Sequence, residues 1–439
     1  MRGRGCASGR ACPRPPRAVS ASSSRGRPSV GQWWAMSDRD APGFEPPPYP
    51  YDRLDAYQKI AQQFDGGIVD LSIGTPCDPP PPAVIEALSG SGSERGYPAS
   101  IGSEALRRSI ARWMARKFAI DVPVSRIAAC IGTKEFVATT PQYMKLRRPN
   151  RDTVIYPAVA YPTYEMGAIL AGLRPLAVPM NGEGHMDFAS LSAADIERAL
   201  MIWVNSPSNP TGGLDDLGYA ADWGRRHGIP VFSDECYTEF TWSTAPQSIL
   251  QHGLDGVVAV HSLSKRSNLA GVRVGFYAGD AEIVEYLKEV RKHAGFMVPG
   301  PAQAAGVAAL DDDDHVALQR DRYRSRLESM ARVLGRWSGI DIGMPDGGFY
   351  LWFDADDAWA FTEKLAREGG ALVSPGDFYG AGGSRHVRVA VVARCFRGCR
   401  GSPGVRRRRA RHQRRQLVLQ RFEPVRVRRG QQRLGCGHR

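Results

Sequence analysis

An α/β chain with an open, mostly parallel sheet and a smaller α+β portion toward its C-terminus is what the sequence predicts, on three observations. Short, apolar, β-branched segments alternate with helical ones from about residue 127 to residue 260. Segments rich in Gly, Pro, Asn, Asp and Lys follow those strands directly, where open α/β sheets place their ligands. After Pro301 the alternation stops and a long, charged helical stretch takes over.

The elements follow in chain order. Residues 53–64 carry apolar positions at helical spacing, and 68–76 form a short extended segment ending in the turn Gly74-Thr75-Pro76. Residues 103–117 read as a helix capped by Ser103. Strands are expected at 127–131, 153–156, 174–178, 200–204, 229–233 and 257–260, with helices at 134–146, 163–171, 191–198 and 216–227 between them. Residues 302–336 read as a long helical stretch, followed by Gly347–Phe353, a helix near 357–368 and a buried strand at 387–393. Asp311 to Asp314 read as a solvated, helix-capping turn rather than a metal site.

Composition separates the body from its ends. The formal net charge is +13, yet residues 1–35 hold seven arginines and no acid, and residues 394–439 hold sixteen arginines and one acid, Glu423. The middle, residues 36–393, is therefore acidic at −9. We read Met36 as the natural start, with residues 1–35 an over-extended gene model. The lysine-free, arginine-rich stretch after Ala393 reads as a frameshift product rather than a nucleic-acid-binding arm. Cys77, Cys130 and Cys236 of the body fit neither a disulfide framework nor a zinc spacing, which points to a reducing cytoplasm. No apolar run approaches the roughly 20 residues of a membrane helix, and no secretory h-region is present.

Four motifs carry chemistry. His261–Phe276 sets Lys265 among Ser262, Ser264 and Ser267, with Arg273 eight residues on. A lysine beside another cation and buried hydrophobes loses proton affinity and can attack a carbonyl, and the hydroxyls with Arg273 suit a phosphate monoester. An exposed Ser-Lys-Arg loop is the equal alternative for this segment by itself. Ile131-Gly132-Thr133-Lys134-Glu135 opens a helix whose free N–H groups can receive an anion, a weak signal alone. Asn205–Gly213 is longer than a plain Pro/Gly turn needs, and its prolines present Asn209 rigidly. Ser233-Asp234-Glu235-Cys236-Tyr237 ends a strand with an acid that can pair with a cationic ring nitrogen, or simply cap a helix.

In this order the four motifs resemble the fold-type I pyridoxal-phosphate enzymes of the class I/II aminotransferase family, over about residues 45–393. The resemblance implies pyridoxal 5'-phosphate as cofactor, with Lys265 bonding it and then moving the substrate's α-proton. It implies that Asp234 pairs with the ring nitrogen, that Asn209 and Tyr237 hold the ring's 3-oxygen, and that Tyr161 stacks on the ring. The phosphate falls to Thr133, Lys134, Ser262, Ser264 and Arg273. Tyr97 matches a tyrosine that reaches the neighbouring subunit's phosphate, which implies a homodimer. Arg388, Asn209 and the backbone of Gly74 are implied for the substrate carboxylate, and no residue for a metal. The implied organisation is an N-terminal arm with part of a small domain at 36–80, a large cofactor-binding domain at 81–300 and a small domain at 301–393. The family's closing C-terminal helix has no counterpart in 394–439.

The wording Ser262–Gly271, Glu289–Gly295 and Pro375–Gly380 is similar to the actinobacterial type of succinyldiaminopimelate aminotransferase. That implies glutamate as donor and N-succinyl-2-amino-6-oxopimelate as acceptor, giving N-succinyl-LL-2,6-diaminopimelate and 2-oxoglutarate in lysine and diaminopimelate biosynthesis. Arg266, Arg291 and Lys292 are candidates for the distal carboxylates or, equally, plain surface charges. The rivals are an aromatic, branched-chain or alanine-type aminotransferase, a β-eliminating lyase, and an aminotransferase-like regulator. A regulator would need a DNA-binding helix-turn-helix ahead of the body, and residues 1–35 show no helical periodicity to make one.

Overall fold

A computed structural model describes residues 44–392. The chain divides into two compact units, Met1–Pro48 and Tyr49–Arg439. Of the first, residues 44–48 are described and carry no regular structure; every helix and strand among the described residues belongs to the second. The readings of 1–35 and 394–439 lie outside the described residues.

The strands are β1 (Val69–Asp70), β2 (Ile127–Cys130), β3 (Thr153–Pro157), β4 (Arg174–Val178), β5 (Ala199–Asn205), β6 (Val231–Asp234), β7 (Val257–Ser262), β8 (Gly275–Gly279), β9 (Tyr350–Asp354), β10 (Ala371–Leu372), β11 (Ser374–Pro375) and β12 (His386–Ala390). Seven of them form one sheet in the order β2-β8-β7-β6-β5-β3-β4. β4, β3, β5, β6 and β7 run parallel, while β8 pairs antiparallel with both β7 and β2. The expected mostly parallel sheet is therefore present. Strand β8 is the element missed: its glycines and short length hide it in sequence.

Both faces of this sheet are covered, because successive residues of a strand point to opposite sides. Ile127, Ala129, Ile202, Val204 and Phe276 pack with Leu106, Ile110 and Trp113 of the helix Glu104–Phe118 and with Ala302, Ala305 and Ala309 of Gly300–Leu310. Ala128, Cys130, Trp203, Phe232 and Tyr277 face Phe136 and Met144 of Thr133–Arg147 and Leu287 of Ala281–His293. Each such Val, Leu, Ile, Phe or Met side chain contributes about 1.5–3 kcal/mol on full burial. Ser103 does cap the helix Glu104–Phe118, its hydroxyl accepting from the Leu106 N–H at 3.2 Å.

The C-terminal part holds an antiparallel sheet, β11-β12-β9, in which Arg388 lies opposite Trp352 and Ser374. β1 pairs parallel with β10, so the N-terminal segment joins this part of the molecule. The stretch 302–336 is two helices, Gly300–Leu310 and Asp314–Ser338, broken at the aspartates. Those aspartates are not a merely solvated turn. Asp311 bonds Ser109 and Arg112, Asp313 pairs with Arg116 and Arg266, and Asp312 with His315. The helix Pro82–Ser89 was not anticipated either, being short and proline-led.

Candidate active site

Sheet register assembles the site. Asn205 ends β5 directly beside Asp234 at the end of β6, and Ser262 at the end of β7 lies opposite Gly275 at the start of β8. Because β8 runs antiparallel, the residues before it, Arg273 among them, fall at the edge where β6 and β7 finish. The turn after β2 adds Gly132 and the first turn of the helix Thr133–Arg147.

These ends open into a cavity of about 380 Å³. Gly74, Thr133, Lys134, Tyr161, Asn209, Asp234, Tyr237, Ser262, Ser264, Lys265, Arg273 and Arg388 all line it. Of the residues the resemblance implies for cofactor or substrate carboxylate, Tyr97 alone is not in the lining; it is 98 % exposed.

Lys265 sits half-buried in the single helical turn Leu263–Arg266, and its Nζ donates to the Gly74 carbonyl at 2.5 Å. Burial pushes its amine down to about 8; Arg388 and Arg273 act in the same direction, against Cys236 and Asp234. Gly74 has to be glycine: a Cβ there would stand 2.0 Å from the Tyr350 hydroxyl.

Arg273 adopts a left-handed backbone (φ 61°), donates to the Ala270 carbonyl at 2.9 Å and reaches the Ile131 carbonyl at 3.4 Å. Among the described residues it forms no ion pair. Gly132 (φ 71°) lies against it, and a Cβ there would come within 2.4 Å of the guanidinium. A cation without a carboxylate, a glycine-lined approach and a helix N-terminus together suit a phosphate. The Ser262 hydroxyl accepts the Ser264 N–H at 3.1 Å, which caps the lysine turn.

Asp234 is buried, and burial raises its carboxyl above the usual range. The Tyr164 hydroxyl donates to it at 2.9 Å and the Cys236 N–H at 3.2 Å, both of which oppose that rise. The carboxylate keeps acceptor capacity for a ring N–H. Asn209 is fixed from behind: its N–H donates to the Asn205 Oδ1 at 2.8 Å, while the Asn205 amide donates to the Asp234 carbonyl at 2.8 Å. The Tyr237 hydroxyl lies 2.9 Å from that of Tyr350. Cys236 Sγ donates to the Thr133 hydroxyl at 3.2 Å.

Arg388 is 2 % exposed. It donates to Asn209 Oδ1 at 2.8 Å, to the Tyr51 hydroxyl at 3.0 Å and to the Ser72 carbonyl at 2.5 Å. Its guanidinium lies over the Tyr350 ring at 4.2 Å and the Tyr379 ring at 4.7 Å. Lys134 stands over the Tyr49 ring at 5.1 Å.

Arg266, Arg291 and Lys292 are not in the lining, so the reading of them as distal-carboxylate contacts fails. Nor are all of them surface charges. Arg266 is 3 % exposed and paired with Glu239 and Asp313; Arg291 is 1 % exposed and paired with Glu135; Lys292 alone is exposed, beside Glu289. Lining residues the sequence reading missed include Asn205, Tyr164, Tyr51, Tyr350 and Cys236. Asn205 and Cys236 stand inside the motifs described above and Tyr164 three residues after Tyr161, whereas nothing near Tyr51 or Tyr350 marks them.

Comparison with known proteins agrees with this geometry. Residues 67–396 match the family model for aminotransferase class I and II. The chain is 42 % identical to "Probable aminotransferase Rv1178" of Mycobacterium tuberculosis, over 79 % of this chain and 82 % of that protein. It is 39 % identical to "4-dedimethylamino-4-oxo-anhydrotetracycline transaminase OxyQ" of Streptomyces rimosus, over 80 % of this chain and 96 % of the other. Among solved structures, a "probable N-succinyldiaminopimelate aminotransferase" of Thermus thermophilus superposes with a TM-score of 0.70 at 29 % identity, covering 78 % of this chain and 95 % of that one.

Proposed function

The chain belongs to the class I and II aminotransferases, whose cofactor is pyridoxal 5'-phosphate, and within that family we propose that it moves the amino group of glutamate to N-succinyl-2-amino-6-oxopimelate. The products are N-succinyl-LL-2,6-diaminopimelate and 2-oxoglutarate. The observation that carries transamination at this cavity is Lys265, held on the Gly74 carbonyl and lowered to about 8, with Arg273 and Arg388 both acting on it. The succinylated acceptor is supported by the wording of the lysine loop, by the Thermus relative, and by an anion-receptive lining that adds Lys134 to the two arginines.

Bound pyridoxal phosphate supplies a carbonyl for the amino group and an electron-withdrawing ring that makes the α-proton removable. Arg273, Ser262, Ser264 and the N–H groups of Thr133 and Lys134 are assigned to its phosphate. Asp234 would pair with the ring nitrogen and keep it protonated, Asn209 and Tyr237 would hold the ring oxygen, and Tyr161 would cover the ring. Arg388 orients the substrate carboxylate, aided by Asn209 and the Gly74 backbone. Lys265 Nζ, readily neutral near pH 8, would take the substrate's α-proton and later give it up again. Tyr164 and Asn205 hold Asp234 and Asn209 in place. A homodimer follows in this reading from Tyr97, which is exposed and matches the family's tyrosine for a neighbouring subunit's phosphate, and a cytoplasmic setting from three cysteines that form no disulfide. No helix among the described residues is long and apolar enough to cross a membrane.

The acceptor is tested by steady-state kinetics with glutamate against a panel of oxo acids and semialdehydes. The succinylated semialdehyde is expected to give the highest kcat/KM. A higher value with an aromatic, branched-chain or pyruvate-type acceptor would replace this reading. The OxyQ relative, named for a 4-oxo-anhydrotetracycline substrate, favours including a ring ketone in the panel.

A further inference from the structure

Beneath the anion-receptive turn lies a charge pair that the chemistry above leaves unused. Glu135 is the third residue of the helix Thr133–Arg147, and its Oε2 accepts the Ile131 N–H at 3.2 Å. The Ile131 carbonyl in turn is reached by Arg273 at 3.4 Å. Residue Ile131, leading into Gly132, is thus held at its N–H by Glu135 and at its oxygen by the arginine assigned to the phosphate. Thr139 donates its hydroxyl to Glu135 Oε1 at 3.0 Å, which fixes the carboxylate further.

A carboxylate in the first turn of a helix is favourable when that N-terminus is empty. Next to a bound phosphate it is a like charge drawing on the same dipole. Arg291, from the helix Ala281–His293, meets both Glu135 oxygens at 2.7 Å in a forked pair. The guanidinium is 1 % exposed and packed near the rings of Phe136 (5.4 Å), Tyr277 (5.9 Å) and Phe296 (4.9 Å), so the counter-charge is fixed in place. Neither residue lines the cavity.

We propose that Glu135 and Arg291 are positioning residues for the cofactor's phosphate: Glu135 shapes the receiving turn, and Arg291 cancels the charge that would otherwise repel the phosphate. The inference is independent of which acceptor the enzyme uses.

The test is binding rather than turnover. The full-length protein, stripped of cofactor, is titrated by absorbance with pyridoxal phosphate and with pyridoxal, which lacks the phosphate. The ratio of the two dissociation constants reads phosphate preference alone. Arg291→Met should lower that preference roughly tenfold, because it leaves Glu135 uncompensated. Removing the carboxylate as well, in Glu135→Gln/Arg291→Met, should restore it to within about threefold of wild type. Glu135→Gln alone should raise it, and it decides the matter if Arg291→Met does not fold. A purely structural brace would weaken both ligands equally. A ratio unchanged from wild type in Arg291→Met or in Glu135→Gln, or a double variant no different from Arg291→Met, would overturn the proposal.

Discussion

Arg273 lies in the turn just before β8 of the seven-stranded sheet and Arg388 within β12 of the three-stranded one, and their surroundings differ. Arg273 donates to two backbone carbonyls within its own turn and the neighbouring one, from a left-handed backbone. Arg388 is held by side chains and backbone from three distant stretches, Tyr51, Ser72 and Asn209, and its buried Nε makes no hydrogen bond among the described residues. The first is a cation left available, supported by glycines and a helix end, as a permanently bound phosphate requires. The second is a fork positioned by other groups and stacked on tyrosines, as a substrate that must enter and leave requires. On the proposed assignment, the cavity has a cofactor side built from local turns and a substrate side built from long-range contacts.

Four substitutions and one titration probe that division, from the largest expected effect to the smallest. Lys265 serves both sides, so Lys265→Ala should lower the rate of the glutamate half-reaction by roughly 10⁴-fold in stopped-flow, with the protein still folded. A loss under about tenfold would remove Lys265 from proton transfer. Arg388→Gln should reduce kcat/KM for glutamate by about a hundredfold while the cofactor dissociation constant changes little. Arg273→Gln should do the reverse, weakening cofactor binding by roughly thirtyfold. If both arginine variants lost cofactor equally, the two sides would not be separate. Asn205→Ala, which frees Asn209 without touching the cavity's charges, should cost about tenfold in kcat with a smaller change in cofactor affinity.

How much of this was legible in the sequence follows the same division. The cofactor side could be read because each of its motifs is contiguous: Gly132-Thr133, Asn205 to Gly213, Asp234 to Tyr237 and Ser262 to Arg273 each end or precede one strand. The parallel strands were legible for the same reason, being short apolar runs bounded by turn residues. β8 was not, because a glycine-flanked strand of five residues has no period to show. The substrate side was hidden for a different reason. Tyr51, Ser72 and Arg388 are brought together across more than 300 residues, and no spacing in the chain announces that. Arg266 and Arg291 misled because an arginine in sequence does not reveal its partner; Glu239 and Glu135 are supplied by other elements.

The smallest effect concerns stability. Lys265 has its folded-state value lowered to about 8 from an ordinary lysine value of 10.5. Between those values the unfolded chain holds the proton and the folded one does not, so stability of the cofactor-free protein should rise with pH across that window. Below pH 8 both states are charged and the cost of burying the ammonium is fully present. Urea unfolding at pH 7.5 and 9.5 should show the rise in wild type and a smaller one in Lys265→Met; equal slopes would mean the amine is not held in a desolvated position.

The central claim, that this cavity is the cofactor site of a working aminotransferase, is tested most directly by borohydride reduction of the cofactor-loaded protein followed by peptide mass mapping. The account predicts the added mass of a reduced pyridoxyl phosphate group on the peptide containing Lys265 and on no other. Label on Lys134 or any other lysine, or no label at all, would contradict it.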